Sequence, residues 1–313
     1  MATGEVNSSL RVWRRGVCVL LTFAVVACAQ VSVRTPPAPR GPLPEPVTQT
    51  TVKKLPSLGL ALGGGAARGF AHIGVIQALE EAGIQPDLVV GTSAGSVVAA
   101  LYASGKNGKE MQSVALGMDE ASFSDWRLPL FKPGVFRGEA LARFVSGHVK
   151  GKQIQELPIP LGVVATDLRS GLGVLFQRGD TATAVRASSA VPAVFQPVSI
   201  AGRDYVDGGL VSPVPVGYAR KMGAELVVAV DISSEPDGKD AQDSFQILLQ
   251  TFAIMGKSIN FFELQDADVI VKPVIAGLAS ASFASRLDAI QLGRQAMLAQ
   301  MPALRRLIDA KTK

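Results

Sequence analysis

Two short segments carry residues whose types and spacing suit acyl transfer. Gly91-Thr92-Ser93-Ala94-Gly95 sets a serine two residues from a glycine on each side, directly after the apolar run Leu88-Val89-Val90. A serine on a sharp strand-to-helix turn presents its hydroxyl as a nucleophile, and small neighbours let the turn close. Serine stays a weak nucleophile until a base within hydrogen-bond reach takes its proton. The chain has two histidines, His72 and His148. In an α/β-hydrolase triad the order is Ser, then Asp or Glu, then His. His148 alone follows Ser93, at the end of a short helical stretch with no late loop to carry it over the serine. His72 falls inside a helix, and both histidines read as structural. The other base on offer is Asp207, in Tyr205-Val206-Asp207-Gly208-Gly209. Its two glycines allow close approach of backbone and substrate, although an Asp-Gly pair alone is an ordinary turn signal.

A third segment supplies a place for negative charge. Gly63-Gly64-Gly65-Ala66-Ala67-Arg68-Gly69 joins a predicted strand to a predicted helix. First-turn amides of a helix lack intrahelical acceptors and the helix dipole favours an anion there. The anion could be the oxygen of a tetrahedral intermediate, where one donor is typically worth about 3 kcal/mol, or a phosphate. A Walker A loop needs Gly-Lys-Ser/Thr after four residues, which is absent. A dinucleotide fingerprint also fails, because its third glycine falls on Arg68.

The elements that must position these residues alternate. Unbroken apolar runs at 58–62, 87–90, 160–166, 173–177, 225–232 and 268–273 read as strands. Helical spacing follows over 66–83, 94–105, 138–148, 182–190, 214–222, 243–262 and 284–310, and the segment 199–209 reads as a hairpin. Strands without polar alternation, separated by helices, predict an α/β fold: a three-layer sandwich around a mostly parallel sheet. Phe252, Met255, Phe261 and Phe262 on the 243–262 helix suit cover for an acyl chain, but their commoner role is core.

Composition narrows the partners. The 313 residues are 48% hydrophobic and 18% charged, with a net charge of +5. That charge is scattered with no run of five like charges, which argues against a nucleic-acid surface. Both cysteines, Cys18 and Cys28, precede residue 30, so the body has no cysteine for a disulfide or a thiolate zinc site. Arg11, Arg14 and Arg15 precede an apolar stretch over 16–29. At about 1.5 Å per residue it spans roughly 21 Å, short of the roughly 30 Å hydrocarbon core. Residues 1–27 therefore read as a signal peptide, and Val25-Val26-Ala27-Cys28 resembles a lipobox with Cys28 as the lipidated residue. An ordinary signal peptide or an uncleaved anchor remains the plainer alternative. Residues 28–56 hold a proline-rich linker, with seven prolines in the 35–56 stretch.

The glycine loop, the Gly-x-Ser-x-Gly and the Asp-Gly-Gly together resemble the patatin-like phospholipase family, more narrowly its bacterial branch related to neuropathy target esterase. The matching segments are 61–75, 91–96, 164–171, 187–197 and 205–209. They lie in order within an expected catalytic core of residues 57–220, with 221–313 completing the α/β body. The resemblance implies a Ser93–Asp207 dyad, an oxyanion hole from Gly63, Gly64 and Gly65, and Arg68 ordering that loop or attracting a phosphate. It implies that Asp167 and residues 188–192 shape the site without doing chemistry. The implied substrate is a membrane phospholipid or lysophospholipid, hydrolysed with no metal or other cofactor. A lipid anchor would place the chain on a membrane surface of a bacterial cell envelope, the outer membrane favoured because Ala29 and not aspartate follows Cys28. An acyltransferase or thioesterase with the same dyad, and a silent lipoprotein that binds lipid or a protein, are the competing functions. The oligomeric state is left open.

Overall fold

The computed structural model describes residues 54–118, 137–233, 244–275 and 285–312. The signal segment, Cys28 and most of the linker lie outside them. Eight strands form one sheet: β1 (Leu58–Leu62), β2 (Leu88–Thr92), β3 (Leu161–Asp167), β4 (Gly173–Phe176), β5 (Val198–Ile200), β6 (Arg203–Asp207), β7 (Leu226–Val230) and β8 (Val269–Val271). The order is β5-β6-β3-β2-β1-β7-β8, with β4 also paired to β3. The run from β3 to β8 is parallel, and β4, β5 and β6 add an antiparallel end. Residues 57–220 and 221–313 therefore contribute to a single sheet.

Burial of both faces explains the unbroken apolar strands. Leu60, Leu62, Val89, Val163 and Val228 point to one face. They pack there with α1 (Phe70–Glu81), α2 (Ala94–Ala103), α3 (Gly108–Gly117), α4 (Glu139–Val149), part of α5 (Thr181–Ser188) and α8 (Arg286–Lys311). The alternating residues Ala61, Leu88, Val90, Val164 and Val227 pack on the other face against α6 (Val216–Lys221). The seventh helix, α7 (Ser244–Glu263), precedes β8. The C-terminal helix is locked to α1 by two glycines, since a Cβ on Gly74 would lie 1.8 Å from the Ile290 carbonyl oxygen and one on Gly293 would lie 1.9 Å from that of Ala71.

Helix α3 is an addition to the predicted elements. Its start is fixed by a capping box, in which Asn107 Oδ1 accepts from the Glu110 amide and Glu110 Oε2 accepts from the Asn107 amide. Its buried side consists of Gly108, Met111 and Ala115 alone, too few apolar residues to give a periodic signal.

The sheet registers decide where the site forms. Residues Val163 to Thr166 of β3 pair with β4 along one edge. Val163 and Val164 also pair with β2, and Ala165 and Thr166 with β6. A strand has two edges, so β2 and β6 share the edge opposite β4 and run toward each other along it. β2 ends with Thr92 opposite Val164, and β6 ends with Asp207 opposite the next residue, Ala165.

Candidate active site

Ser93 follows the last residue of β2 and precedes the first residue of α2, with φ 52° and ψ −125°. Residues other than glycine populate that region sparsely. Surroundings that over-determine the turn hold it there. A Cβ on Gly91 would sit 2.5 Å from the Gly95 carbonyl oxygen, and one on Gly95 would sit 2.1 Å from that of Leu62. The two glycines of the motif thus let the start of α2 press onto the ends of β1 and β2. The Ser93 amide donates to Ser188 Oγ at 2.9 Å, and Ser96 Oγ donates to the Ser93 carbonyl at 2.6 Å.

The head-to-head arrangement of β2 and β6 brings together residues 114 positions apart. Ser93 Oγ donates to Asp207 Oδ2 at 2.7 Å. The other carboxylate oxygen accepts the Gly209 amide at 2.7 Å. The Asp207 backbone is fixed as well, its amide donating to the Ala190 carbonyl and its carbonyl accepting from Thr166 Oγ1. Asp207 is 6% exposed. Burial pushes its pKa up to about 6, while the bonds from Ser93 and Gly209 pull the other way. At neutral pH the group is a carboxylate of raised basicity beside a hydroxyl. Ser188, part of the 187–197 motif, belongs to the support of the nucleophile's backbone. Gly209 supplies a donor to the aspartate, where the sequence indicated only room for close approach.

The glycine loop is divided by its hydrogen bonds. The Gly63 amide donates to the Val230 carbonyl at 3.0 Å and the Gly64 amide to the Pro213 carbonyl at 2.9 Å. Those two donors are committed to holding the loop, which narrows the expected three-glycine oxyanion hole. Gly65 caps, and Ala66 begins, the 3-10 turn Ala66–Gly69, so their amides are first-turn donors without an intrahelical acceptor. Ala94, first in α2, stands in the same position. Gly64 lies against the nucleophile, a Cβ there meeting Ser93 Cβ at 3.1 Å. Arg68 Nε donates to the Gly65 carbonyl at 3.2 Å, which ties the guanidinium to the loop it was expected to order.

Neither histidine is joined to Ser93. His72 is fully buried in α1, its Nε2 donating to the Gly63 carbonyl at 2.8 Å. Desolvation holds its pKa down at about 4, so it is a neutral brace for the loop. His148 packs edge-on against Phe144 within α4. Asp167 caps the turn after β3, accepting from the Arg169 and Ser170 amides and pairing with Arg203 at 2.9 Å.

Ser93 and Asp207 open into a cavity of about 360 Å³. Its apolar wall includes Val191, Val194, Phe195, Leu210, Leu249 and Phe252, and Gly65, Ala66 and Ala94 also reach it. Phe252 thus faces the cavity, as acyl-chain cover would. Met255, Phe261 and Phe262 do not form core. They are at least 45% exposed on the outer side of α7.

Comparison with known proteins follows the same geometry. Residues 60–220 match the family model described as patatin-like phospholipase. The chain belongs to the patatin-like phospholipase family. An uncharacterized NTE family protein of Mycobacterium tuberculosis is 38% identical over 202 residues, covering 60% of this chain and 52% of the relative. Patatin-like phospholipase domain-containing protein 6 of Homo sapiens is 36% identical over 187 residues, covering 58% of this chain and 14% of that protein. The match thus spans about half of the first relative and a small part of the second. Among solved structures, VipD from Legionella pneumophila superposes with a TM-score of 0.52 at 16% identity, over 82% of this chain and 67% of that one. At that identity the likeness speaks for the fold alone.

Proposed function

We propose that the chain is a serine acyl-ester hydrolase acting on phospholipids or lysophospholipids. The observation that carries this reading is the 2.7 Å bond from Ser93 Oγ to Asp207 Oδ2 on a strained elbow facing an apolar cavity. In the proposed cycle Asp207 takes the Oγ proton while Oγ bonds to the ester carbonyl carbon and the carbonyl π electrons move to oxygen. Collapse of the tetrahedral species breaks the bond to the leaving alkoxide, which receives the proton from Asp207. A water then gives its proton to Asp207 and attacks the acyl-serine, and Ser93 leaves with that proton. The amides of Gly65, Ala66 and Ala94 are the donors we assign to the oxyanion, since those of Gly63 and Gly64 are already bonded. A cavity of about 360 Å³ falls in the range of about 300 to 1,000 Å³ that ligand pockets span.

The test is labelling with a fluorophosphonate probe in detergent micelles. Wild type should label, Ser93→Ala should not, and Asp207→Asn should label far more slowly. A folded wild-type chain that stays unlabelled sinks the hydrolase reading. The amino-terminal segment, with Cys28 as its lipidated residue, belongs to the same proposal, which places the domain on a bacterial envelope membrane. Incorporation of a palmitate analogue that disappears in Cys28→Ser checks the anchor.

A further inference from the structure

Helix α7 is apolar on two opposite sides. Leu249, Phe252, Ala253 and Gly256 face the cavity that holds Ser93. On the far side Ile247, Ile254 and Phe261 recur every seventh residue, and Met255 and Phe262 form a second row beside them. At about 3.6 residues per turn these rows flank Thr251 and Ser258, whose hydroxyls are turned back onto the Ile247 and Ile254 carbonyls, and the outward stripe they make together is roughly 22 Å long. All five side chains are exposed, Phe261 and Phe262 by 68% each. The stripe is held outward by polar groups on the inner side. Asn260 Nδ2 donates to Ser233 Oγ at 3.2 Å, and Ser212 Oγ donates to Glu263 Oε1 at 2.5 Å. Turning the apolar rows inward would break both bonds and turn Asn260 and Glu263 outward.

We propose that the outer face of α7 docks on a phospholipid surface, lying flat at the interface and bringing the bilayer to the rim of the cavity. The inference rests on the hydrolase reading and names how that site meets its substrate. Three observations select a bilayer over a protein partner. The helix that would touch the surface also walls the cavity, so docking there sets the bilayer about one helix diameter, roughly 10 Å, from the space that holds Ser93. From Ser244 to Phe262 the sole charged residue is Lys257, with no carboxylate to repel anionic headgroups. The chain before Lys54 contains Cys28 and a proline-rich linker. At about 3.1 Å per residue that linker reaches on the order of 80 Å, which keeps the domain within range of a membrane that anchors Cys28. Among the described residues no helix is long and apolar enough to cross a membrane, which leaves an in-plane position for α7.

Because Cys18 and Cys28 are the sole cysteines, replacing both by serine frees the full chain for a single reporter. An environment-sensitive NBD group is attached at Phe261→Cys, or at the exposed Gln295→Cys on α8 as a control. Phosphatidylcholine–phosphatidylglycerol vesicles carrying doxyl-labelled acyl chains should blue-shift and quench the reporter at 261 and leave that at 295 unchanged. No response at 261, or an equal response at both positions, overturns the proposal. A shift at 261 that depends on protein concentration without vesicles also overturns it, in favour of contact between copies. In parallel, Phe261→Ser with Phe262→Ser should lower phospholipid turnover in vesicles at least about tenfold. The same variant should hydrolyse the water-soluble p-nitrophenyl butyrate within about twofold of wild type, and equal losses on both substrates would overturn the docking role. If wild type hydrolyses neither substrate, the hydrolase reading fails, while the reporter at 261 still decides the docking surface.

Discussion

Replacing Asp207 by asparagine should remove activity and stabilise the protein at the same time. The carboxyl is buried, and its pKa stands at about 6 against an ordinary 3.8. Each unit of pKa difference between folded and unfolded states is about 1.36 kcal/mol. The ionised carboxylate therefore costs the fold about 3 kcal/mol once both states have lost the proton. The folded state holds its proton through the window from 3.8 to about 6 while the unfolded chain has released it, so wild-type stability falls as pH rises across that window. Asparagine escapes this loss. Its carbonyl can accept the Gly209 amide, and its amide can face Ser93 Oγ once that hydroxyl rotates, so both existing contacts are retained in altered form. Urea unfolding of the two proteins should coincide below about pH 3, differ by about 1.5 kcal/mol at pH 5, and differ by about 2 to 3 kcal/mol at pH 8. Ester turnover should fall about 10² to 10⁴-fold with loss of the base, and wild-type kcat/KM should decline as pH drops through about 6. An Asn variant no more stable than wild type at pH 8, or a gain equal at pH 5 and pH 8, would refute the claim that burial dominates this carboxylate.

Three further perturbations separate chemistry from architecture. Ser93→Gly and Ser93→Ala should both be inactive, but glycine tolerates the positive φ at this position and should unfold about 1 kcal/mol later than alanine; equal stabilities would mean the elbow stores no strain. Gly95→Ala drives a methyl to within 2.1 Å of the Leu62 carbonyl oxygen and should cost about 3 kcal/mol or more, read as a fall in thermal midpoint; an unchanged midpoint would contradict the close contact of α2 with β1. His72→Gln should stay within about tenfold of wild type in ester turnover because the imidazole braces the Gly63 carbonyl and is not joined to Ser93; a loss beyond about a thousandfold would return histidine to the role of base.

How much of this the sequence carried differs from element to element, and the reason is whether the determinant is local. The buried strands announce themselves because neither face of β1 or β7 meets water, so every residue from Leu226 to Val230 is apolar and buried. Ser93 and Asp207 are recognisable by their glycine neighbours, which serve contacts a few ångströms away. Their pairing is not local. It follows from β3 lending one edge to both β2 and β6, a fact of register between strands far apart in sequence. The same limit applies to the glycine loop, where three similar amides in a row acquire different duties because Val230 and Pro213 place carbonyls against two of them. Helix α7 fails for a third reason. Hydrophobic side chains on both of its sides carry the signal of a core helix, and Phe252 facing the cavity fits that signal while Phe261 and Phe262 face outward. Apolarity in a sequence states that a surface avoids water; it does not state which side of a helix the fold covers. That choice is written in the polar residues of the inner face, Asn260 and Glu263, whose bonds to Ser233 and Ser212 fix which side of the helix turns away from the sheet.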